Sequence, residues 1–303
     1  MYDLLILGSG PAGLSAAIYA ARAELDFAVV ESSYVSGGQI TSTYEIDNYP
    51  GLNGISGQDL ADRMRKHADS LGAKFLTAEA TGISGSAGNF TVETSSGPLS
   101  AKTVIIATGA EHAELGVPGE RELRGKGVSY CATCDGMFFK DKDVAVVGGG
   151  DTAVSDAIYL TRMCRSVTLI HRRDSLRAAK SLQDRFISNP RASVEWSSTV
   201  QRIGGNGKVE DVILRSTISG EEKPLEVSGV FIAVGIIPRS APFAGFVEVD
   251  KRGYITASED CAASVPGVFA AGDVRAKQLR QIITAAADGA NAVTGAQKIL
   301  ASL

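Results

Sequence analysis

The sequence has few cysteines, prolines and aromatic residues, no excess of basic residues and no long hydrophobic run. Its 303 residues include 4 Cys and 9 Pro, and 6% are aromatic. Four cysteines are too few for a disulfide-rich scaffold, and no hydrophobic run approaches the ~18 residues of a transmembrane helix. With 30 basic and 34 acidic residues the formal net charge is −4, so no nucleic-acid or membrane partner is expected. The chain opens without a basic segment before its first apolar run, so we expect no signal peptide and a cytoplasmic location.

Glycine, in contrast, is abundant. There are 34 glycines in the chain, where average usage is roughly 7%. They do not recur at every third position and few prolines accompany them, which excludes collagen and argues against Pro/Gly-rich disorder. The other proportions, 44% hydrophobic and 21% charged residues, are typical of a globular protein. The length favours about two domains whose backbone often turns tightly or approaches another group closely.

A glycine-rich turn occurs twice, each time between an apolar strand pattern and a helical pattern. The first turn follows Asp3–Leu7 and precedes the strand pattern Phe27–Glu31; the second follows Val144–Val147 and precedes Val167–His171. The first comprises Gly8, Ser9, Gly10, Pro11, Ala12 and Gly13; the second includes Gly148, Gly150, Asp151, Thr152 and Ala153. Two GxGxxG-like turns in register are much stronger evidence than one. The sequence therefore predicts an α/β fold with two Rossmann-like dinucleotide-binding domains.

The order of the segments predicts that the second domain is inserted into the first. Residues 113–244 contain the second glycine turn, and the segment after them is too short to form a third domain. We therefore expect a discontinuous first domain of residues 1–112 and 245–303. Within it, the stretch Phe75–Lys102 alternates loosely between apolar and polar residues, which predicts a small antiparallel accessory sheet.

The residues that end the second strand of each unit indicate which nucleotide binds. Glu31 is an acid, which accepts hydrogen bonds from ribose hydroxyls and repels a 2′-phosphate, as in an FAD or NAD site. At the equivalent place the second unit has His171, Arg172, Arg173 and Arg177, and Arg side chains suit phosphate oxygens. The alternatives are a turn without ligand and a solvated basic surface. One ADP-type site and one NADP-type site together indicate a flavoprotein in which NADPH reduces FAD.

Cys131 and Cys134 form a CxxC motif, which Asp135 follows directly. Three interpretations compete: a structural disulfide, a zinc site and a redox dithiol. A structural disulfide that closes so short a loop would stabilise the fold little. A zinc site usually has four ligands, but the other two cysteines, Cys164 and Cys261, are isolated in the sequence and are most simply packing residues. A redox dithiol is therefore favoured. Asp135 is either a proton shuttle for the thiols or a turn residue before Gly136.

Taken together, the motifs resemble the bacterial-type, low-molecular-weight, NADPH-dependent thioredoxin reductases over essentially the whole chain. The motifs are GSGPAG at 8–13, GGQIT at 37–41, DNYPG at 47–51, CATCDG at 131–136, GGGDTA at 148–153, HRRDSLR at 171–177, AAGDV at 270–274 and RQI at 280–282. The resemblance implies non-covalently bound FAD, NADPH as donor, thioredoxin as partner and a homodimer. It adds these cofactor-binding candidates: Gly38, Gln39, Ile40, Asn48, Gly272, Asp273, Arg280, Gln281 and Ile282.

The resemblance also implies roles for the redox residues. NADPH reduces the flavin, the flavin reduces the disulfide with Cys134 as the flavin-proximal sulfur, Cys131 attacks thioredoxin, and Cys134 resolves the mixed disulfide. Asp135 is implied as the acid–base group. Two departures from the family pattern are Ala153 at the third glycine position and Ala287 where Gly is frequent.

Two other functional interpretations stay open at this point. One is a flavoprotein of the same scaffold with a different donor or acceptor: a ferredoxin-fed reductase, a dithiol oxidase or a reductase of another thioredoxin-like protein. HRRDSLR argues against the first two, because neither needs to bind a 2′-phosphate. The other is a non-catalytic nucleotide-binding or zinc-binding regulator.

Overall fold

The computed structural model describes residues 1–43, 45–46 and 48–303. The chain divides into two compact units: the first combines Met1–Glu111 with Ile237–Leu303, and the second spans His112–Ile236. The inserted segment was predicted to end at residue 244, whereas the second unit ends at Ile236. Residues 237–244 belong to the first unit because Phe243 is fully buried in its core, together with Ile255 and Val268.

The first unit is built on a seven-stranded sheet. Its strands are β1 (Tyr2–Leu7), β2 (Phe27–Glu31), β3 (Lys74–Thr77), β4 (Ala80–Ser86), β5 (Asn89–Thr94), β6 (Leu99–Ile106) and β17 (Val268–Ala270). The order is β3-β2-β1-β6-β5-β4, and β17 also pairs with β6. β1 pairs in parallel with β2 and β6. Leu4–Leu7 are all fully buried, as is typical of parallel strands covered on both faces.

The antiparallel pairing predicted within residues 75–102 is confirmed, but the strands do not form a separate sheet. β4 pairs with β5, and β5 with β6, both antiparallel. β6 belongs to the main sheet because its Leu99–Ala101 end pairs with β5 while Ala101–Ile106 pairs with β1. One long strand therefore joins the antiparallel extension to the parallel sheet.

The described residues of this unit form the α-helices α1 (Pro11–Arg22), α2 (Gly57–Ser70) and α6 (Ile282–Leu300). α1 and α6 approach each other closely, since a Cβ on Gly289 would lie 2.2 Å from the Ala12 carbonyl oxygen. Apolar residues of both helices join Leu4 and Ile6 in one hydrophobic cluster. The start of α1, where the glycine turn ends, is thereby held rigidly against the sheet.

The second unit has a five-stranded parallel sheet in the order β11-β10-β9-β15-β8. These strands are β8 (Val128–Ser129), β9 (Asp143–Val147), β10 (Ser166–Ile170), β11 (Ala192–Glu195) and β15 (Gly229–Ile232). Its helices are α3 (Ala132–Asp135), α4 (Asp151–Leu160) and α5 (Lys180–Ile187). An antiparallel sheet adds β12 (Ser198–Gly204), β13 (Asp211–Ser216) and β14 (Glu222–Glu226). The predicted α/β class with two Rossmann-like units is confirmed.

The remaining elements are short. β7 (Ala110–His112) pairs with β16 (Ile236–Pro238). In the part of the chain that the structure describes, 3-10 turns span Gly38–Ser42, Gly136–Phe139, Ala241–Phe243 and Gly272–Val274. Within the described residues, no helix has the length and apolar character needed to span a bilayer.

Candidate active site

The first glycine turn joins β1 to α1 and leaves an open cradle at the start of the helix. A Cβ on Gly13 would lie 1.9 Å from the Gly8 carbonyl oxygen, so only glycine fits there. A Cβ on Gly10 would instead meet only the Gly37 carbonyl oxygen, at 3.9 Å. Gly10 is the N-cap of α1, and no described side chain caps this helix end. The N–H groups of the first turn therefore have no capping side chain, and Gly10 leaves space beside them, which suits an anionic group such as a pyrophosphate.

Glu31 lies at the end of β2, beside this turn. Its Oε2 accepts hydrogen bonds from the Ser9 amide at 2.7 Å and the Ser9 hydroxyl at 2.8 Å. Its Oε1 accepts the amide proton of Ser33 at 3.0 Å. The carboxylate is therefore held in place at the strand end, the position from which an acid contacts the ribose hydroxyls of an unphosphorylated adenosine.

Loops distant in sequence bring the predicted flavin-side residues together. Gly38, Gln39 and Ile40 lie in one 3-10 turn, and the Gln39 side chain donates to the Ala110 carbonyl oxygen. Asn48 donates through Nδ2 to Gln281 Oε1 at 3.0 Å. Ile282 packs on the small cluster that contains Ile40. Asp47, part of the same motif as Asn48, lies outside the described residues.

Asp273 carries the clearest sign of a missing polar partner in this unit. Its Oδ1 is buried and, in the described part of the chain, has no hydrogen-bond partner, and burial raises the pKa of its carboxyl. Gly272 precedes it with φ +78°, and a Cβ there would lie 2.9 Å from Ala12 Cβ, so this loop lies against α1. The guanidinium of Arg280 stacks on the Tyr254 ring, 4.0 Å from its centroid. A buried unpaired oxygen beside an open helix start fits the hydroxyl- and phosphate-rich part of FAD.

The second glycine turn precedes α4 and is equally open. Gly150 is the N-cap, no described side chain caps the helix, and a Cβ on Gly150 would meet no atom within 4 Å. Asp151 accepts the Ala179 amide proton at 2.8 Å, and Thr152 is exposed. Ala153 is tolerated at the third position because Gly148 leaves room: a Cβ on Gly148 would lie 2.6 Å from Ala153 Cβ.

His171 packs directly on this turn. Its Nδ1 lies 2.9 Å from the Gly148 carbonyl oxygen, which can only accept, so Nδ1 carries the proton. Burial lowers the pKa of the ring, and the buried Nε2 has no partner among the residues described. In the neutral His171 ring, Nε2 can therefore accept a hydrogen bond, and no described residue donates one to it.

Three arginines follow His171 and stay exposed: Arg172, Arg173 and Arg177. The Arg177 amide donates to the Gly149 carbonyl oxygen at 2.8 Å, so the arginine loop returns to the glycine turn. This places positive charge beside the open cradle, which fits a nucleotide with an additional phosphate. The residues of the second turn therefore fit NADPH.

Cys131 and Cys134 form a disulfide at the start of α3. Cys131 is the N-cap of this helix, and its Sγ accepts the Cys134 amide proton at 3.2 Å. Cys164 and Cys261 are free and fully buried. Of residues 1–43, 45–46 and 48–303, no group of three or more His, Cys, Asp or Glu could hold a metal ion. The CxxC motif thus adopts the oxidised form of a dithiol.

Asp135 ends α3, immediately after Cys134. Its Oδ2 accepts the Ser129 hydroxyl at 2.6 Å, and burial raises the pKa of the carboxyl. Asp135 is thus buried beside the redox pair with one carboxylate oxygen held by a hydroxyl donor. Ser129 was not identified from the sequence, where its only signal is a hydroxyl two residues before Cys131.

Comparisons with known proteins agree with this geometry. Residues 2–289 match the model of the family described as pyridine nucleotide-disulphide oxidoreductase. The chain is 47% identical to a thioredoxin reductase of Listeria innocua, covering 100% of this chain and 95% of the relative. It is 44% identical to a thioredoxin reductase of Bacillus subtilis, covering 100% and 96%. The crystal structure of a thioredoxin reductase from Streptococcus pyogenes matches with a TM-score of 0.96 at 46% identity, covering 100% and 99%. The predicted resemblance is therefore confirmed along the whole chain.

Proposed function

Because this chain belongs to the pyridine nucleotide-disulphide oxidoreductase family, we propose that it carries electrons from NADPH through FAD and its own disulfide to oxidised thioredoxin. It is a flavoprotein oxidoreductase that uses FAD and NADPH, like the thioredoxin reductases that it resembles. The observation that carries the proposal is the Cys131–Cys134 disulfide next to Asp135, in the unit with the NADP-type turn.

The first unit would hold FAD. When bound, FAD supplies a two-electron link between a hydride donor and a disulfide. We assign its pyrophosphate to the N–H groups of the Gly8–Gly13 turn, its ribose to Glu31 and its ribityl region to Asp273. Gly38, Gln39, Ile40, Asn48, Gly272, Arg280, Gln281 and Ile282 would complete the flavin side. The unpaired Oδ1 of Asp273 supports this assignment, since it needs a hydroxyl or N–H donor.

The second unit would hold NADPH. Gly148, Gly150, Asp151, Thr152 and Ala153 would bind its pyrophosphate, and His171, Arg172, Arg173 and Arg177 its 2′-phosphate. His171 would use its free Nε2 for the nucleotide, while its Nδ1–H stays on the Gly148 carbonyl oxygen. Arginines recognise phosphate through paired N–H groups, so this loop would select NADPH over NADH.

The disulfide would perform the transfer to thioredoxin. Reduction breaks the Sγ–Sγ bond and takes two electrons and two protons, which leaves two thiols. The Cys134 amide bonded to Cys131 Sγ favours the thiolate at Cys131, so Cys131 would attack thioredoxin's disulfide. That step forms a mixed disulfide and releases one thioredoxin sulfur. Cys134 then attacks Cys131 Sγ, which restores the internal disulfide and releases the second sulfur.

Asp135 would move the protons of these steps. Its raised pKa brings the carboxyl closer to the working pH, as a general acid–base group requires. It would accept the proton of the Cys134 thiol when that sulfur attacks the mixed disulfide. It would then give a proton to the thioredoxin sulfur that is released. The hydrogen bond from Ser129 fixes one of its oxygens.

We also propose that the enzyme is a homodimer in the cytoplasm. The family resemblance supports the dimer, and the low count of 4 cysteines supports a reducing compartment such as the cytoplasm. With a net charge of −4, we propose no nucleic-acid or membrane partner. Sedimentation velocity at micromolar concentration tests the assembly state, and a monomer throughout would contradict the dimer.

The decisive experiment is an anaerobic titration of the yellow holoenzyme with NADPH and with NADH, followed by turnover with oxidised thioredoxin. We expect NADPH to bleach the flavin at much lower concentration and thioredoxin to be reduced. Cys134→Ser should abolish turnover and retain flavin bleaching, whereas the control Cys164→Ser should retain both. Full thioredoxin turnover in Cys134→Ser, or bleaching by NADH alone, would refute the proposal. Bleaching without thioredoxin turnover in the unmodified enzyme would indicate another acceptor.

A further inference from the structure

Ser129 joins the acid–base residue to the backbone of the first redox cysteine. It ends β8, and only 5% of its surface is exposed. Its Oγ lies 2.6 Å from Asp135 Oδ2 and 3.0 Å from the Cys131 nitrogen. The Cys131 amide can only donate, so the hydroxyl oxygen accepts that proton and the hydroxyl proton goes to the carboxylate. The Cys131 carbonyl oxygen, at 3.4 Å, is a poorer acceptor.

We propose that Ser129 is a positioning residue that holds Asp135 in place, as an ionised acceptor, for proton transfer at the Cys131–Cys134 pair. The inference rests on the proposed function for the direction of electron flow. The step that it supports is the one in which Cys134 loses its proton to Asp135, attacks Cys131 Sγ and releases the thioredoxin sulfur, which takes up a proton. The bond formed is Cys131–Cys134, and the bond broken is the mixed disulfide.

A donor is needed here because Asp135 is buried. Burial raises the pKa of its carboxyl, and the hydrogen bond from Ser129 opposes that rise. A donor to the charged form favours ionisation, so removing the hydroxyl should raise the pKa of Asp135 further. The carboxyl would then hold its proton at a pH where it should accept one from Cys134. Ser129 therefore sets the lower end of the pH range in which Asp135 acts as a base.

Titratable groups on neighbouring elements bear on this test. Tyr130 directly precedes Cys131, and burial raises the pKa of its phenol, away from the pH range measured here. α4 and the turn Gly136–Phe139 pack against α3, and the turn has no titratable side chain. α4 carries Asp151, Asp156 and Tyr159. Asp151 is exposed and accepts the Ala179 amide proton, whereas burial raises the pKa of Asp156 to about 6. Asp156 is thus the group whose titration must be separated from that of Asp135.

The test compares Ser129→Ala with Ser129→Thr, which keeps a hydroxyl. The matched control is Ser166→Ala, because Ser166 likewise donates to a carboxylate, Asp143, at 2.7 Å in the same unit. We measure kcat/KM for oxidised thioredoxin from pH 5 to 9 at saturating NADPH. Ser129→Ala should lower the value at pH 7 by about tenfold and move the acidic limb upward by about one pH unit. Ser129→Thr should restore most of the loss, and Ser166→Ala should leave the profile unchanged.

A double-variant cycle separates positioning from a merely structural role. In an Asp135→Asn background, adding Ser129→Ala should change the rate by less than about twofold, because Ser129 acts through the missing carboxylate. In an Asp156→Asn background, the shift caused by Ser129→Ala should persist. Equal losses with and without the Asp135 carboxylate, or an unmoved acidic limb, would overturn the proposal and leave Ser129 as a support of the Cys131 backbone.

A readout without thioredoxin keeps this test independent of the proposed function. We reduce the holoenzyme with dithiothreitol and then remove the dithiothreitol. The rate of iodoacetamide alkylation of Cys131 and of Cys134 is then measured by mass spectrometry as a function of pH. The pH step in alkylation rate that Asp135→Asn abolishes should move upward in Ser129→Ala. If thioredoxin is not reduced but this step moves, the proposed function fails and the role of Ser129 stands. If thioredoxin is reduced and the step does not move, the role of Ser129 fails alone.

Discussion

The buried carboxylate of Glu120 accepts a hydrogen bond from the phenol of Tyr130, with 2.7 Å between Oε1 and the hydroxyl oxygen. Glu120 is 1% exposed and also accepts the backbone protons of Leu115 at 2.9 Å and Gly116 at 2.7 Å. The His112 ring stacks on Tyr130 with centroids 5.2 Å apart. Tyr130 directly precedes Cys131. The Glu120 carboxylate therefore connects the loop at Leu115 and Gly116 to the segment that carries the redox pair.

The first prediction concerns that carboxylate. Glu120→Ala leaves four donors, on Leu115, Gly116, Val117 and Tyr130, without their carboxylate acceptor, and a hydrogen bond to a charged group contributes roughly 1.5–3 kcal/mol. We expect backbone hydrogen exchange at Leu115 and Gly116 to accelerate by at least about tenfold. Tyr130→Phe removes one of these donors and keeps the Glu120 carboxylate for the backbone, so its effect should be smaller.

Hydrogen-exchange mass spectrometry of the holoenzyme measures this effect. The matched control is Glu114→Ala, because Glu114 lies on the same loop and its carboxylate pairs with the exposed Arg121. Unchanged protection of the loop in Glu120→Ala would contradict the role given to this carboxylate.

The second prediction concerns the contact between Gly149 and His171. A Cβ on Gly149 would lie 2.2 Å from His171 Cε1 and 2.3 Å from Nδ1. Gly149→Ala must therefore displace the ring from its bond to the Gly148 carbonyl oxygen. Overpacking of this kind costs about 1–3 kcal/mol. If NADPH binding requires the ring in its native place, binding bears this cost, and the Kd for NADPH should rise roughly 5- to 150-fold, with unchanged FAD content.

Anaerobic flavin bleaching measures the NADPH affinity of these variants. Gly245→Ala is the control, because a Cβ there meets no atom within 4 Å and the residue does not have a positive φ. An unaltered Kd in Gly149→Ala would show that the ring position does not matter for the nucleotide.

The parts of the site that the sequence predicts are those with local signals. Each glycine turn lies between a strand and a helix that are its neighbours in sequence. Glu31 ends the strand after the first helix, and His171 comes directly after the strand that follows the second. The Ser129–Asp135 and Glu120–Tyr130 bonds have no such pattern, because they depend on how β8 and a loop pack after folding. The same holds for β6, whose two ends pair with different strands. Periodicity identified its strand character but not its three partners, β1, β5 and β17.

The third prediction is a count of reactive thiols. Burial raises the pKa of Cys164 to about 11 and that of Cys261 to about 11, and a thiol with so high a pKa is almost entirely protonated at pH 8. The native oxidised enzyme should therefore show no thiol to Ellman's reagent. Addition of NADPH should expose two, and unfolding of the reduced chain should expose all 4 cysteines.

The control for this count is a double variant, Cys131→Ser with Cys134→Ser, which should show no reactive thiol after NADPH. A third reactive thiol in the native, reduced enzyme would mean that Cys164 or Cys261 is accessible, against their complete burial.

The fourth prediction concerns Asp156, whose pKa burial raises from 3.8 to about 6. Between these two values the native carboxyl holds a proton that the unfolded carboxyl has lost. The contribution of Asp156 to stability therefore falls as the pH rises through this window, and above it the buried charge costs at most about 3 kcal/mol. Asp156→Asn removes the charge, so it should raise the melting temperature at pH 8 by several degrees, and by clearly less at pH 4.5. Differential scanning fluorimetry of the holoenzyme measures both, with the exposed Asp174→Asn as the control. An equal gain at both pH values would instead attribute the effect to packing of the amide, because only the ionised carboxylate makes the stabilisation depend on pH.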